Sequence, residues 1–260
     1  LISPYSSTSD LSTLSPCLCT RNIGVLITRC CEELKRPGSV LFTLFSSLRQ
    51  ALGSSRSVSS LVCYGVGPFC CSAVSAYQFA VLLLLKQTFC PIRGCFVFDP
   101  LLGQACRNLC AEKGVTVLSQ DEQASRAVSQ PGGNAVDVFW MPHCGFELYR
   151  NVITANFSPS CLSSLVIIGN GMKHQQDREG IDWKRDMAAK LCLEEVVAPA
   201  NQTAHEEGLR LCSSPAFNGT SVHWWPSQSV LEASMTPSAL KKFRSTCHSP
   251  TSSSSKLSFC

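Results

Sequence analysis

Five residues have the type and placement that chemistry on a ligand would need: Gly65, Gly67, Asp99, His143 and Asn170. The apolar run Leu61-Val-Cys-Tyr64 enters Gly65-Val66-Gly67, and after Pro68 the long apolar segment from Ser72 to Gln87 reads as a helix. Strand, glycine turn and helix form the unit that opens dinucleotide- and nucleoside-binding sheets. Glycine adopts positive φ without steric cost and lets a ligand approach bare backbone. The start of a helix adds unpaired N–H groups and the positive end of its dipole. Cys70 stands where the third glycine of G-x-G-x-x-G would be, so the motif is incomplete. A tight turn between a buried strand and its helix is the plain structural reading.

Asp99 closes the apolar run Cys95-Phe-Val-Phe98. An acid at the end of a second strand can accept from a ribose hydroxyl, although Asp99 lies 32 residues beyond Gly67, where about 20 is usual. Capping a helix that starts at Pro100 explains Asp99 without a ligand. His143 follows a strand and Pro142, where an imidazole can act as acid or base near neutral pH. Adjacent side chains rarely point together, which argues against a His143–Cys144 nucleophile pair and favours a structural or ligand-contacting histidine. His143, His174 and His223 have no spacing that demands a metal. Asn170, between two glycines, offers a donor and an acceptor or simply tolerates left-handed backbone. Asn156 and Asn218 carry the same double reading. Trp224 and Trp225 read as core residues rather than a partner surface.

Alternating elements must position these residues. Helix is expected from Asn22 to Leu52 with a break at Pro37-Gly38, and Leu41, Leu44, Phe45 and Leu48 share one face of its second half. The 72–87 helix is apolar nearly all round, so it is packed on two sides; the 39–52 helix is the expected outer neighbour. Further strands are expected at 95–98, 115–118, 136–141 and 165–168, with later strands at 195–198 and 208–211. Helices are expected from Pro100 to Gly114, at 121–128, 145–155 and 182–191. The near-continuous apolar strands imply a mostly parallel sheet covered on both faces, a Rossmann-like α/β domain. In that architecture ligands sit beyond the carboxyl ends of the strands. Gly65, Gly67, Asp99, His143, Cys144, Asn170 and Gly171 all fall there.

The domain is expected over residues 38–226. Before it lie a Ser/Thr-rich arm and a helix (1–37), and after it a Ser/Thr-rich tail (227–260). The chain of 260 residues is 45% hydrophobic and only 15% charged, against about 25% charged in average chains. Basic residues are scattered, which gives no nucleic-acid signal despite a formal charge of +4. The longest apolar run, Phe79–Leu85, is far too short to span a bilayer. Seventeen cysteines, an odd number, form no paired C-x-x-C pattern. With no signal peptide visible, they suit a reducing compartment, and the three formal glycosylation sequons at Asn156, Asn201 and Asn218 read as coincidence. The chain starts at Leu1, so a preceding segment is expected.

An ordered set of blocks resembles one family. Cys63-Tyr-Gly-Val-Gly-Pro-Phe69, Gln78-Phe-Ala80 and Phe98-Asp-Pro100 are similar to the opening of the SRR-like domain of the Sensitivity to Red light Reduced family. The likeness continues through Val117-Leu-Ser119 with Glu122, Met141-Pro-His-Cys144, Leu148-Tyr149, Ala155-Asn156 and Ile167-Ile-Gly-Asn170. Ala216-Phe-Asn218 and Thr220-Ser-Val-His223 complete it. The chain departs from the family at Gly171, where serine is usual, and at Gly219, where an acidic residue is usual.

The resemblance implies a regulatory rather than catalytic protein. Plant members are tied to light signalling and the circadian clock, and fungal and animal relatives to regulation of haem biosynthesis and to cell proliferation. Cytoplasmic and nuclear locations are implied, and no reaction transfers. The expected function is therefore regulation, with a small-molecule or nucleotide ligand of unknown identity at the glycine turn and protein partners elsewhere. An enzyme of methyltransferase-like or nucleotide-dependent type at the same rim is the alternative, and an interaction module with a vestigial pocket is a third reading.

Overall fold

The computed structural model describes residues 22–171, the backbone of 194–197, residues 216–217 and residues 219–234. Among them, seven strands form one sheet: β1 (Ser57–Tyr64), β2 (Gly94–Phe98), β3 (Thr116–Val117), β4 (Ala135–Met141), β5 (Leu165–Asn170), β6 (Glu194–Val197) and β7 (Thr220–Trp224). Their spatial order is β3-β2-β1-β4-β5-β7-β6. β7 alone runs against its neighbours β5 and β6, and the rest of the sheet is parallel. The Rossmann-like, mostly parallel architecture expected from the alternating pattern is the one found. The expected late strand at 195–198 is β6, whereas β7 was not foreseen, and the expected elements at 182–191 and 208–211 lie outside the described residues.

Side chains of the central strands alternate between two cores, as period two requires. Leu61, Cys63, Val138, Trp140, Val166 and Ile168 face one core. Helices α1 (Ile23–Leu34), α2 (Val40–Leu52), α3 (Ala73–Phe89) and α4 (Gln104–Glu112) cover that face. Val62, Tyr64, Phe139, Met141, Leu165 and Ile167 face the other core, under α5 (Phe146–Ala155), α6 (Pro159–Leu162) and α7 (Gln228–Ser234). The helix expected after the N-terminal arm and part of the segment read as a tail both contribute to the packed body: Ile27, Cys30 and Leu34 of α1 are buried, as is Leu231 of α7. Trp224 and Trp225 are core residues, one to each side.

Helix starts follow their caps. Asn22 accepts from Val25 N at 3.2 Å, and Ser72 accepts from Ser75 N at 3.2 Å. The outer face of α3 is covered mainly by α1 rather than by α2 as expected; Tyr77 donates to Glu33 across that contact. α2 reaches α3 through Phe45 and Phe89, whose rings meet edge-on at 5.4 Å, and otherwise lies toward β7.

Two local expectations are corrected. Asp99 does not cap a helix at Pro100: Leu102 N returns to Asp99 O in a turn, and α4 starts only at Gln104, with Gly103 as its cap. Nor is there a helix at 121–128. Asp121 accepts from Gln123 N at 2.8 Å, and Gln123 and Ala124 both take positive φ, 48° and 55°, which no α-helix accommodates.

Candidate functional site

The strand order reverses between β1 and β4, with β2 and β3 on one side and β5 onward on the other. At such a switch point the connections leave in opposite directions and open a crevice beyond the strand ends. The residues singled out by sequence converge there. Gly65 and Gly67 follow β1, Asp99 follows β2, His143 and Cys144 follow β4, and Asn170 ends β5.

Direct contacts tie the four strand ends together. Gly67 N donates to Asp99 Oδ2 at 2.7 Å, and Gly65 N donates to Phe98 O at 3.2 Å. A Cβ at Gly65 would lie 2.7 Å from Cys144 Sγ, and one at Gly67 would lie 2.4 Å from Ser75 Oγ in the first turn of α3. Both glycines have positive φ, 71° and 73°. Glycine is therefore required at each by backbone conformation and by close approach of the protein itself. On the far side of the crevice, Asn170 Nδ2 donates to Cys144 O at 3.2 Å. Tyr149 donates to Met141 O at 2.6 Å and accepts from Asn170 N at 2.7 Å, stapling β4 to β5. His223 Nε2 lies 3.1 Å from Asn170 O. Asn170 is in ordinary extended backbone, so tolerance of left-handed conformation is not its role. That conformation belongs to His143, at φ 53°, and a non-glycine residue held there stores strain of the kind found at functional sites.

Asp99 is 5% exposed. Burial pushes its carboxyl up from the ordinary value, and the N–H groups of Leu101 and Gly67 pull it partly back. Both oxygens accept, Oδ1 from Leu101 N at 2.8 Å and Oδ2 from Gly67 N. The carboxylate thus takes up a glycine-turn N–H of the kind that phosphates use in glycine-rich cradles. The helix-cap role does not describe it: Asp99 pins the glycine turn.

Sequence reasoning missed a charged cluster at the same edge. Tyr64, the last residue of β1, donates to Glu122 at 2.7 Å, and Arg126 grips both Glu122 oxygens at 2.8 and 2.6 Å. The Arg126 guanidinium lies over the Phe96 ring, 5.3 Å from its centroid. Burial alone would raise the Glu122 carboxyl, but the Arg126 and Tyr64 hydrogen bonds outweigh it and hold the group below its ordinary value. The i,i+4 spacing of Glu122 and Arg126 is visible in sequence, but the reach to Tyr64 across 58 positions is not.

Other candidates resolve as structural. Asn156 is fully buried: its amide donates to Arg126 O and Val152 O and accepts from Val128 N. No group of three or more potential metal ligands is found among the described residues. His174 and Asn218 lie outside those residues. No helix among them is long and apolar enough to cross a membrane. A groove of about 360 Å³ lies at the opposite end of α3, lined by Leu41, Phe42, Phe45 and Leu84 with Lys35, Gln87 and Thr88. It shares no residue with the strand-end rim.

Comparison with known proteins agrees with the ordered blocks. An SRR1-like protein of Mus musculus is 39% identical over 138 residues, covering 52% of this chain and 53% of that protein. Protein SENSITIVITY TO RED LIGHT REDUCED 1 of Arabidopsis thaliana is 28% identical over 200 residues, covering 75% of this chain and 67% of that protein. The chain thus spans about half the length of the mouse relative and about two thirds of the plant one. Among solved structures, a mutant of MtNAS in complex with S-adenosylmethionine aligns with TM-score 0.39 at 15% identity, covering 78% of this chain and 72% of that one. That likeness is too low to add to the topology above. The SRR1 domain matches residues 44–224, which take in the sheet from β1 to β7 and every rim residue described here, and the chain belongs to the SRR1 domain family.

Proposed function

We propose that this protein is a regulator, acting in light, clock or haem-related control, whose β1–β4 crevice binds a small ligand that carries no phosphate at the glycine turn. One observation carries the ligand chemistry: the N–H groups of both glycines are already used, Gly65 on Phe98 O and Gly67 on the Asp99 carboxylate. An anionic group placed there would meet a buried carboxylate and find those two donors engaged. A neutral or cationic ligand meets no such opposition. His143, half-buried on the rim, and Asn170 supply polar contacts across the crevice. The fold supports such binding in general terms, because the switch point is where open α/β sheets take their ligands.

A thermal-shift comparison of adenosine, S-adenosylmethionine and ATP on the full chain tests this. A probe at 100 times its dissociation constant adds about 2.7 kcal/mol of stability. The expected result is a shift with adenosine or S-adenosylmethionine, with ATP no better than adenosine. The shift should shrink in His143→Ala and in Asn170→Ala, both of which leave the glycine turn intact. Tighter binding of ATP, or a shift that survives both variants, would refute the reading. Turnover of S-adenosylmethionine that His143→Ala abolishes would instead make the rim an active site.

A further inference from the structure

The segment joining the glycine turn to α3 holds a pair of thiols that the ligand reading does not use. Cys71 N and Ser72 N both return to Pro68 O, at 3.0 and 3.1 Å, so residues 68–72 form a tight turn. Adjacent side chains on a helix diverge by about 100°, and Cys30 and Cys31 of α1 do so, one buried in the core and the other turned to Ala80 O. On the 68–72 turn the two side chains converge instead: Cys70 Sγ and Cys71 Sγ are 3.5 Å apart. Cys71 is exposed and Cys70 is 3% exposed, so one sulfur faces solvent and the other stands directly behind it. Cys106 of α4 is fully buried and hydrogen-bonded to Cys70.

We propose that Cys70 and Cys71 are a modification site for hydroperoxides, closing to a reversible disulfide between neighbouring residues. The Cys71 sulfur attacks the peroxide, the O–O bond breaks, and Cys71 becomes a sulfenic acid with release of water or an alcohol. The Cys70 sulfur then attacks the Cys71 sulfur; the S–S bond forms, the S–O bond breaks, and the hydroxyl leaves as water with the Cys70 proton. The two thiols are oxidised by two electrons and the peroxide is reduced. A small-molecule dithiol reverses the step by exchange. Exposure makes Cys71 the attacking residue, and Cys70 resolves because its sulfur stands 3.5 Å from Cys71 Sγ. The ring lies between Gly67 and the cap of α3, so its closure stiffens the entry to that helix.

The test is peptide mapping of the full chain after brief exposure to hydrogen peroxide, with iodoacetamide alkylation in denaturant and tryptic digestion. Residues 57–86 form one peptide holding Cys63, Cys70 and Cys71, and Cys106 falls in the separate peptide 94–107. The expected product is the first peptide less two hydrogens, alkylated only at Cys63 and restored to full alkylation by dithiothreitol. Cys71→Ser, a change at an exposed position, should abolish the product, whereas Cys106→Ser should leave it in place. A cross-link between the two peptides, a stable sulfinic acid at Cys71, or full alkylation of all three thiols would each overturn the proposal.

Discussion

Gly169→Ala is expected to lower the free energy of unfolding by about 3 kcal/mol, combining overpacking with the loss of a buried hydrogen-bond bridge. The added Cβ would lie 2.3 Å from the Tyr149 hydroxyl and 2.6 Å from Met141 O. Gly169 does not have positive φ, so the effect is steric rather than conformational. The Tyr149 hydroxyl occupies the space because it donates to Met141 O and accepts from Asn170 N. Displacing it leaves a backbone N–H at the β5 terminus without its partner. Adding Tyr149→Phe should not rescue the variant, since Met141 O is backbone and cannot withdraw. Urea unfolding of single and double variants checks this, with stability taken from the midpoint and slope.

Asp137→Ala is expected to cost about 4 kcal/mol, because it strips a buried carboxylate from four donors at once. Asp137 is 3% exposed in the middle of the sheet. It accepts from Ser60 N at 3.0 Å, Ser60 Oγ at 2.8 Å, Ser129 Oγ at 3.0 Å, and also from Ser129 N. The register between β1 and β4 shifts between Val58 and Ser60, and such a bulge leaves a ladder N–H to be satisfied by other means. The carboxylate satisfies Ser60 and fastens the loop before β4 to the sheet. Asp137→Asn retains one acceptor oxygen and should fall between the wild type and the alanine variant. Equal unfolding midpoints for all three proteins would show that the carboxylate does not hold the bulge.

Local signals in the sequence revealed the elements and the rim. Asn22 and Ser72 cap where their chemistry predicts, Gly114 ends α4 with positive φ, and the apolar runs at 61–64, 95–98, 136–141 and 165–168 are strands. The strand-to-helix alternation then places Gly65, Asp99, His143 and Asn170 on one edge. Partners distant in the chain were not legible. Asp99 looked like a cap because Pro100 follows it, yet its second oxygen is used on Gly67, and no periodicity reports a bond across 32 positions. The glycines resembled a ligand cradle, but Cys144 and Ser75 occupy the space beside them. Residues 121–126 carried helix-like i,i+4 charge spacing, and the turn at Asp121 overrode it. β7 was not legible because it is only five residues long and its polar residues Ser221 and His223 are buried along with Val222 and Trp224, so its alternation marks no solvent-facing side.

The β1 turn and the β4 loop meet at one crevice, and a double-mutant cycle between Gly65→Ala and Cys144→Ala measures that meeting. Gly65→Ala alone suffers both positive φ, about 1–2 kcal/mol, and the contact with Cys144 Sγ. Removing the thiol relieves the contact and leaves the φ cost, so the double variant should be more stable than the sum of the single effects predicts, by about 1 kcal/mol or more. Additivity to within about 0.5 kcal/mol would mean that residues 65 and 144 do not touch, and would contradict the site described here.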